Sequence, residues 1–225
     1  MARYAISDIH GCAATFKALL DQLHFSKEDE LYLLGDYIDR GPDSKGVIDH
    51  IWYLQNTGHF VQCIKGNHEA MMVSSLKDHD YERHWLPHGG KNTLKSFGVD
   101  AVSDVPARYM YWIQDLPHVL EVAGYILVHA GLPFNRENYM GDLEEMLWIR
   151  NWYHRIDSKW LDGRIIVHGH TPKEESEIKL GLNNLLLVQA LDIDNGCVFN
   201  HDGLGQLCAF NLDERTLTFL PCLDN

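Results

Sequence analysis

The chain has 225 residues, 45% of them hydrophobic and 23% charged, which is the make-up of an ordinary globular protein with length for one well-packed core. Its formal net charge of −13 argues against the clustered Lys and Arg surface that nucleic acid demands, and no apolar run approaches the ~20 residues of a membrane span. The five cysteines, Cys12, Cys63, Cys197, Cys208 and Cys222, show no CxxC spacing, and Met1 to Ile6 lack the apolar core of a secretion signal; together these predict reduced thiols and a cytoplasmic location.

In chain order, a short apolar strand at 3–7 precedes a helix at 13–23, where Phe16, Leu19, Leu20 and Leu23 fall at helical spacing. A second strand at 31–34 leads to a helix at 44–55 with Val47, Ile48, Ile51 and Leu54 inward. A third strand at 60–64 is followed by a helical middle from about 70 to 117, rich in His, Tyr and Trp. Strands are predicted at 118–122, 125–129 and 164–168, with a helix near 143–154 between them. The last third carries apolar runs at 185–189, 207–211 and 216–220, the final two forming a hairpin around Asp213 and Glu214. Strands alternating with helices predict an α/β protein with a parallel component, and the absence of repeats or linkers predicts one domain over 1–225.

The chemistry-bearing residues fall at the C-terminal ends of the predicted strands, where α/β sheets place ligands. Strand one ends in Ser7-Asp8-Ile9-His10-Gly11, strand two in Gly35-Asp36-Tyr37-Ile38-Asp39-Arg40-Gly41, and strand three in Gly66-Asn67-His68-Glu69. Two later strands end in His129-Ala130-Gly131 and His168-Gly169-His170-Thr171-Pro172. A lone Asp-x-His at a strand end is more often a turn or a cap. Five such blocks, each closing a separate strand, are not. Carboxylate, imidazole and amide oxygen form an oxygen and nitrogen donor set suited to manganese, iron or zinc, and one bridging carboxylate between two groups of ligands is what a metal pair requires.

These blocks, above all GDYIDRG and GNHE, resemble the phosphoprotein phosphatase family, the metallophosphatases related to calcineurin and the bacteriophage lambda phosphatase. Trp85-Leu86-Pro87-His88-Gly89-Gly90 and the short length are similar to the bacterial and phage branch. The resemblance implies a β-sandwich flanked by helices on both sides, with the metal site at strand C-terminal ends. It implies Asp8 and His10 on a first metal, Asp36 bridging, and Asn67, His129 and His170 on a second. It implies Arg40, Arg150 and Asn67 as phosphate-binding residues, and His68 as leaving-group acid oriented by Asp39. The cofactor expected is a pair of divalent ions, manganese first, with iron, zinc, nickel or magnesium as alternatives. The reaction expected is in-line attack on phosphorus by a hydroxide held between the metals, with no covalent intermediate. Ser7 stands where the family has Gly, with little expected consequence. Beside His170, His168 reads as a packing or supporting residue. His88 is a candidate for the substrate rim, and Asp192 and Asp194 read as turn carboxylates.

Three functions follow, ranked by the residues beside the ligands. Asp39 before Arg40 and Glu69 after His68 resemble the protein phosphatase version, which places a protein serine/threonine phosphatase first, with phosphotyrosine as a further target. The partner expected is then a phosphorylated protein or a small phosphoester, with neither nucleic acid nor membrane. A symmetrical diadenosine tetraphosphate hydrolase, or another nucleotide phosphohydrolase, stands second. An inactive phosphopeptide-binding scaffold stands last, because no ligand or acid is missing.

Overall fold

A computed structural model describes residues 1–134 and 138–224. The strands are β1 (Arg3–Ile6), β2 (Glu30–Leu33), β3 (Phe60–Cys63), β4 (Val119–Val122), β5 (Tyr125–Val128), β6 (Ile165–His168), β7 (Ala190–Asp192), β8 (Gln206–Asn211) and β9 (Thr216–Pro221). They form two sheets, ordered β3-β2-β1-β8-β9 and β4-β5-β6-β7. Within them β1, β2 and β3 run parallel, as do β5, β6 and β7, while β8 and β9 make the expected antiparallel hairpin.

Alternation along the strands builds the layers, since successive side chains point to opposite faces. Ala5, Tyr32, Leu34, Ile64, Leu127, Val167 and Phe210 pack between the sheets. Ile6, Leu31 and Leu33 face the other way, onto helices α1 (Ala13–Gln22) and α2 (Ser44–Asn56), which supply Phe16, Leu19, Val47, Ile48 and Ile51. The helices α3 (Asn67–Ser75), α4 (His79–Trp85), α5 (Gly90–Phe97) and α6 (Ala107–Asp115) extend that layer, as the helical middle segment predicts. Beyond the second sheet, Ile126, Val128 and Ile166 pack on Met146, Trp152 and Leu161. The order is helices, sheet, sheet, helices, which is the sandwich the sequence implied.

Two expected elements differ. The run at 185–189 is helix over Leu185–Val188, with the strand displaced to Ala190–Asp192. Leu186 and Leu187 are 72% and 82% exposed, so three leucines and a valine in a row do not here mark a buried strand; Leu, which is not branched at Cβ, suits a surface turn of helix equally. The helix near 143–154 is broken into Glu145–Trp148 and a 3-10 turn at Tyr153–Arg155. Ile149 is extended and Asn151 lies at φ 56°, and the Trp152 indole N–H donates to the Ala130 carbonyl at 3.0 Å. That bond ties the break to the loop after β5.

Candidate active site

The loops leaving β1, β2, β3, β5 and β6 are brought together by backbone hydrogen bonds. The His10 N–H donates to the Asp36 carbonyl and the Gly11 N–H to the Tyr37 carbonyl, both at 2.8 Å, and the Gly169 N–H donates to the His129 carbonyl at 2.8 Å. Close approach demands glycine at two points: a Cβ on Gly66 would lie 2.1 Å from Asp36 Oδ1, and one on Gly169 2.0 Å from Asp8 Oδ2. Of the eleven non-glycine residues with positive φ among those described, six are Asp8, His10, Asp36, Asp39, Arg40 and His170. Each of these turns its side chain out of a left-handed corner, a conformation non-glycine residues seldom take.

Two groups of donor atoms meet around Asp36. Those of His10, Asp36 and His68 lie within 4.8 Å of one another, and so do those of Asp36, His129 and His170. All five residues are buried. The His10 Nδ1–H donates to the Ile38 carbonyl and the His129 Nδ1–H to the Leu34 carbonyl, both at 2.9 Å, so each ring turns an Nε2 lone pair inward. The His129 lone pair faces Asn67 Oδ1 at 2.8 Å and Asp36 Oδ1 at 3.5 Å. His170 Nε2 is buried with no hydrogen-bond partner among the described residues, while its Nδ1 lies 2.9 Å from Asn67 Oδ1. Acceptors thus confront acceptors, a donor set that fits a divalent cation of the oxygen and nitrogen class.

The charges agree. Burial, then the neighbouring Asp8 charge, pushes the Asp36 carboxyl well above the usual range, and burial holds His10 and His129 below the ordinary imidazole value. Burial, then His129, drives His170 down to about 2. Neutral imidazoles are ligand-ready, and a bound cation would restore the Asp36 carboxylate. Asp8 falls outside both groups: its Oδ2 takes the Ser7 hydroxyl and, at 3.1 Å, the His170 N–H.

His68 sits on the first turn of α3, with Nδ1 2.7 Å from Asp39 Oδ2 and Nε2 3.9 Å from Asp36 Oδ2. Asp39 also accepts the Trp85 indole N–H at 2.7 Å and the Thr93 hydroxyl at 2.6 Å. With both oxygens already accepting, Asp39 receives the His68 Nδ1–H and fixes the ring. Burial nonetheless lifts the Asp39 carboxyl to about 7 and holds His68 below its ordinary value. Arg40 Nη1 lies 2.6 Å from His10 Nε2, and its guanidinium covers the Phe199 ring. On the other side Arg150 donates to Thr171 Oγ1 at 2.9 Å and opens onto a cavity of about 520 Å³ shared with Tyr153, His154, His168 and Lys173. His168 Nε2 accepts the Tyr153 hydroxyl at 2.7 Å, its Nδ1 lying 3.0 Å from the Gly169 carbonyl. His88 is exposed, its Nδ1 2.7 Å from the His84 carbonyl. Asp192 closes β7 instead of lying in a turn and accepts the Asp194 N–H at 3.0 Å, while Asp194 accepts the Gly196 N–H at 2.7 Å, and both are buried.

Residue order does not disclose the parts played by Glu69, Trp85 and Thr93. The Glu69 carboxylate accepts the N–H groups of Asp36 at 2.8 Å and of Tyr37 and Gly66 at 2.9 Å, so it staples the Asp36 loop to α3. Spacing offers a partial clue, since Gly66 to Glu69 is a capping-box interval. Nothing in the spacing relates Trp85 or Thr93 to Asp39.

Residues 1–206 match the family described as calcineurin-like phosphoesterase. The chain belongs to that family. Such phosphoesterases bind divalent metals, and the two groups around Asp36 are where this one could hold them. This phosphoesterase is 29% identical over 199 residues to a protein of Pseudomonas putida named bis(5'-nucleosyl)-tetraphosphatase, symmetrical, with 84% of this chain and 62% of that one covered. A protein of the same name from Nitrosococcus oceani is 32% identical over 162 residues, covering 68% and 53%. The chain thus spans about three fifths of the length of the first of these relatives. In fold it is similar to the crystal structure of a candidate diadenosine tetraphosphatase, with a TM-score of 0.65 at 20% identity over 99% and 94% of the two chains. It is also similar to a protein serine/threonine phosphatase of Saccharomyces cerevisiae, with a TM-score of 0.69 at 14% identity over 100% and 81%.

The ranking of substrates by sequence is therefore corrected. The curated relatives carry the name of the second choice, a nucleotide tetraphosphatase, and not of a protein phosphatase. The physical reason is visible at the two residues that carried the ranking. Asp39 and Glu69 are both 0% exposed, and both hold scaffold groups. Neither faces a substrate, so neither reports what the substrate is.

Proposed function

We propose that this chain is a metal-dependent phosphohydrolase of dinucleoside polyphosphates, cleaving a tetraphosphate bridge at its centre to give two nucleoside diphosphates. The name shared by the relatives, one of which matches 84% of the chain, carries this reading, and the cavity beside Arg150 supports it. A cavity of about 520 Å³ lined by Arg150, Lys173, Tyr153 and His154 suits a nucleotide: cations for phosphate, aromatic faces for a base.

We assign Asp8, His10 and Asp36 to one divalent ion and Asp36, Asn67, His129 and His170 to a second, with manganese the first choice of metal. When bound, such ions neutralise charge on the phosphoryl oxygens and lower the pKa of water. The chain's own residues do the rest. Arg40 and Arg150 flank the pair and take charge from the phosphate; Asn67 is held between His129 and His170. His68, oriented by Asp39 through its Nδ1–H, would act from its doubly protonated form, giving the Nε2 proton to the leaving-group oxygen as the bond to phosphorus breaks.

The test is turnover of diadenosine tetraphosphate, a serine phosphopeptide and para-nitrophenyl phosphate with manganese, then with chelator. The expected result is preference for the dinucleotide, adenosine diphosphate as sole product, and loss of activity with chelator. Preference for the phosphopeptide, or products of unequal phosphate number, would refute the substrate. Asp36→Asn is expected to abolish metal uptake and turnover together, and a fully metallated, active variant would refute the site.

A further inference from the structure

Away from the oxygen and nitrogen ligands, three thiols from distant parts of the chain converge. Cys12 follows the loop after β1, Cys197 lies between β7 and β8, and Cys222 follows β9. Their sulfurs all lie within 4.8 Å of one another, and Cys222 Sγ is 3.8 Å from Cys12 Sγ. All five cysteines of the chain are free, and Cys63 and Cys208 take no part in this cluster. Buried thiols packed as small apolar groups require no such three-way meeting. A disulfide would use two of the three and draw them to ~2.05 Å. A tetrahedral metal with bonds of about 2.3 Å to sulfur has ligands about 3.8 Å apart, the separation of Cys12 and Cys222.

We propose that Cys12, Cys197 and Cys222 form a second, soft-metal site, a three-thiolate clamp for a thiophilic cation such as zinc. Thiolates select zinc or copper(I), whereas the centre around Asp36 offers only oxygen and nitrogen, so the two sites sort metals by ligand chemistry. Access is present from two sides. Cys222 is half-buried, and Cys12 lines a cavity of about 270 Å³ together with Arg40, Lys95 and Asp224. That cavity leaves room for a fourth ligand, and Lys95 and Arg40 offset the surplus negative charge of three thiolates on a divalent ion. The surrounding hydrogen bonds order the ligands. The Thr15 hydroxyl lies 3.7 Å from Cys222 Sγ, Thr15 Oγ1 accepts the Leu223 N–H at 2.8 Å, and Asp224 accepts the Ala14 and Thr15 N–H groups at 2.9 and 2.8 Å. A bound cation would fasten the segment carrying Cys222 to Cys12, which caps α1 two residues beyond His10.

The test uses reduced full-length protein, its activity centre first filled with manganese, titrated with cobalt(II) and then zinc(II). One cobalt per chain is expected to bring thiolate-to-cobalt charge-transfer absorption, which oxygen and nitrogen ligands do not produce, and zinc is expected to abolish it. Zinc is also expected to slow alkylation of Cys222, read by peptide mass spectrometry, at least ten-fold. Cys222→Ser and Cys197→Ser should each lose the absorption while retaining turnover of para-nitrophenyl phosphate, and Cys222→His should keep a weakened band. Absence of the band in folded wild-type protein would overturn the proposal. So would its persistence in the Cys197→Ser, Cys222→Ser double variant, or unchanged alkylation with zinc. The readouts are independent of which phosphate ester the enzyme hydrolyses.

Discussion

Replacing Glu69 by Gln alters one buried atom and separates a scaffold role from a substrate-reading role. Oε2 accepts from Asp36 at 2.8 Å and Gly66 at 2.9 Å, and Oε1 accepts from Tyr37 at 2.9 Å and Ile38 at 3.4 Å. Whichever way the amide turns, its NH₂ confronts two N–H donors and leaves them unsatisfied. At about 1–3 kcal/mol per buried unsatisfied group the loss is about 2–6 kcal/mol. Burial already lifts the Glu69 carboxyl to about 7, so removing the charge returns part of its desolvation, and the expected net loss is about 3 kcal/mol. In urea, without metal, that lowers the unfolding midpoint by about 1 M or more. Because the stapled loop carries Asp36, the manganese concentration for half-activation should also rise about ten-fold. At saturating manganese the ratio of turnover on diadenosine tetraphosphate to that on para-nitrophenyl phosphate should stay within about two-fold of wild type. An unshifted midpoint accompanied by a large change in that ratio would show that Glu69 contacts substrate, and would refute the reasoning.

His68→Asn is expected to reduce turnover of an alkyl phosphate by about 10³ but that of diadenosine tetraphosphate by only about ten-fold, because a nucleoside diphosphate leaves with little need of a proton. Equal losses on both substrates would contradict a leaving-group acid. His168 is held down to about 4 by burial, below its unfolded value of about 6.5, so the unfolded chain takes up its proton first as pH falls. The stability it contributes is complete above about 6.5 and is lost toward 4, up to roughly 3 kcal/mol. His168→Gln, which keeps an acceptor for Tyr153, should flatten the fall in melting temperature between pH 7 and 4.5; parallel profiles would count against this.

Much of the architecture is legible in the sequence because local patterns carry it. The helix over Ala13–Gln22 follows from apolar spacing, and the hairpin of β8 and β9 from two strand-like runs about a polar turn. The ligand blocks are legible for the same reason, each being a contiguous stretch at a strand end. What is not legible depends on distance along the chain. Trp85 and Thr93 reach Asp39 across 46 and 54 positions, and the three clustered thiols lie at 12, 197 and 222 without recognisable spacing. The displaced strand at Ala190–Asp192 is a different failure: it is only three residues long, and the more apolar run preceding it lies on the surface. The substrate ranking failed because it rested on a resemblance at Asp39 and Glu69, whose side chains turn inward and carry no information about the substrate.

The six left-handed corners at Asp8, His10, Asp36, Asp39, Arg40 and His170 set the interests of the fold against those of the reaction. Glycine at any one of them would relax the backbone by about 1 kcal/mol while deleting a proposed metal ligand, a proposed phosphate contact or the partner of His68. A population of variants screened for heat resistance alone would therefore drift toward glycine at these positions and lose the activity without losing the sandwich. Screening in the presence of the divalent ion should oppose that drift at the ligand positions, since only chains that keep their ligands gain the stability that metal binding confers.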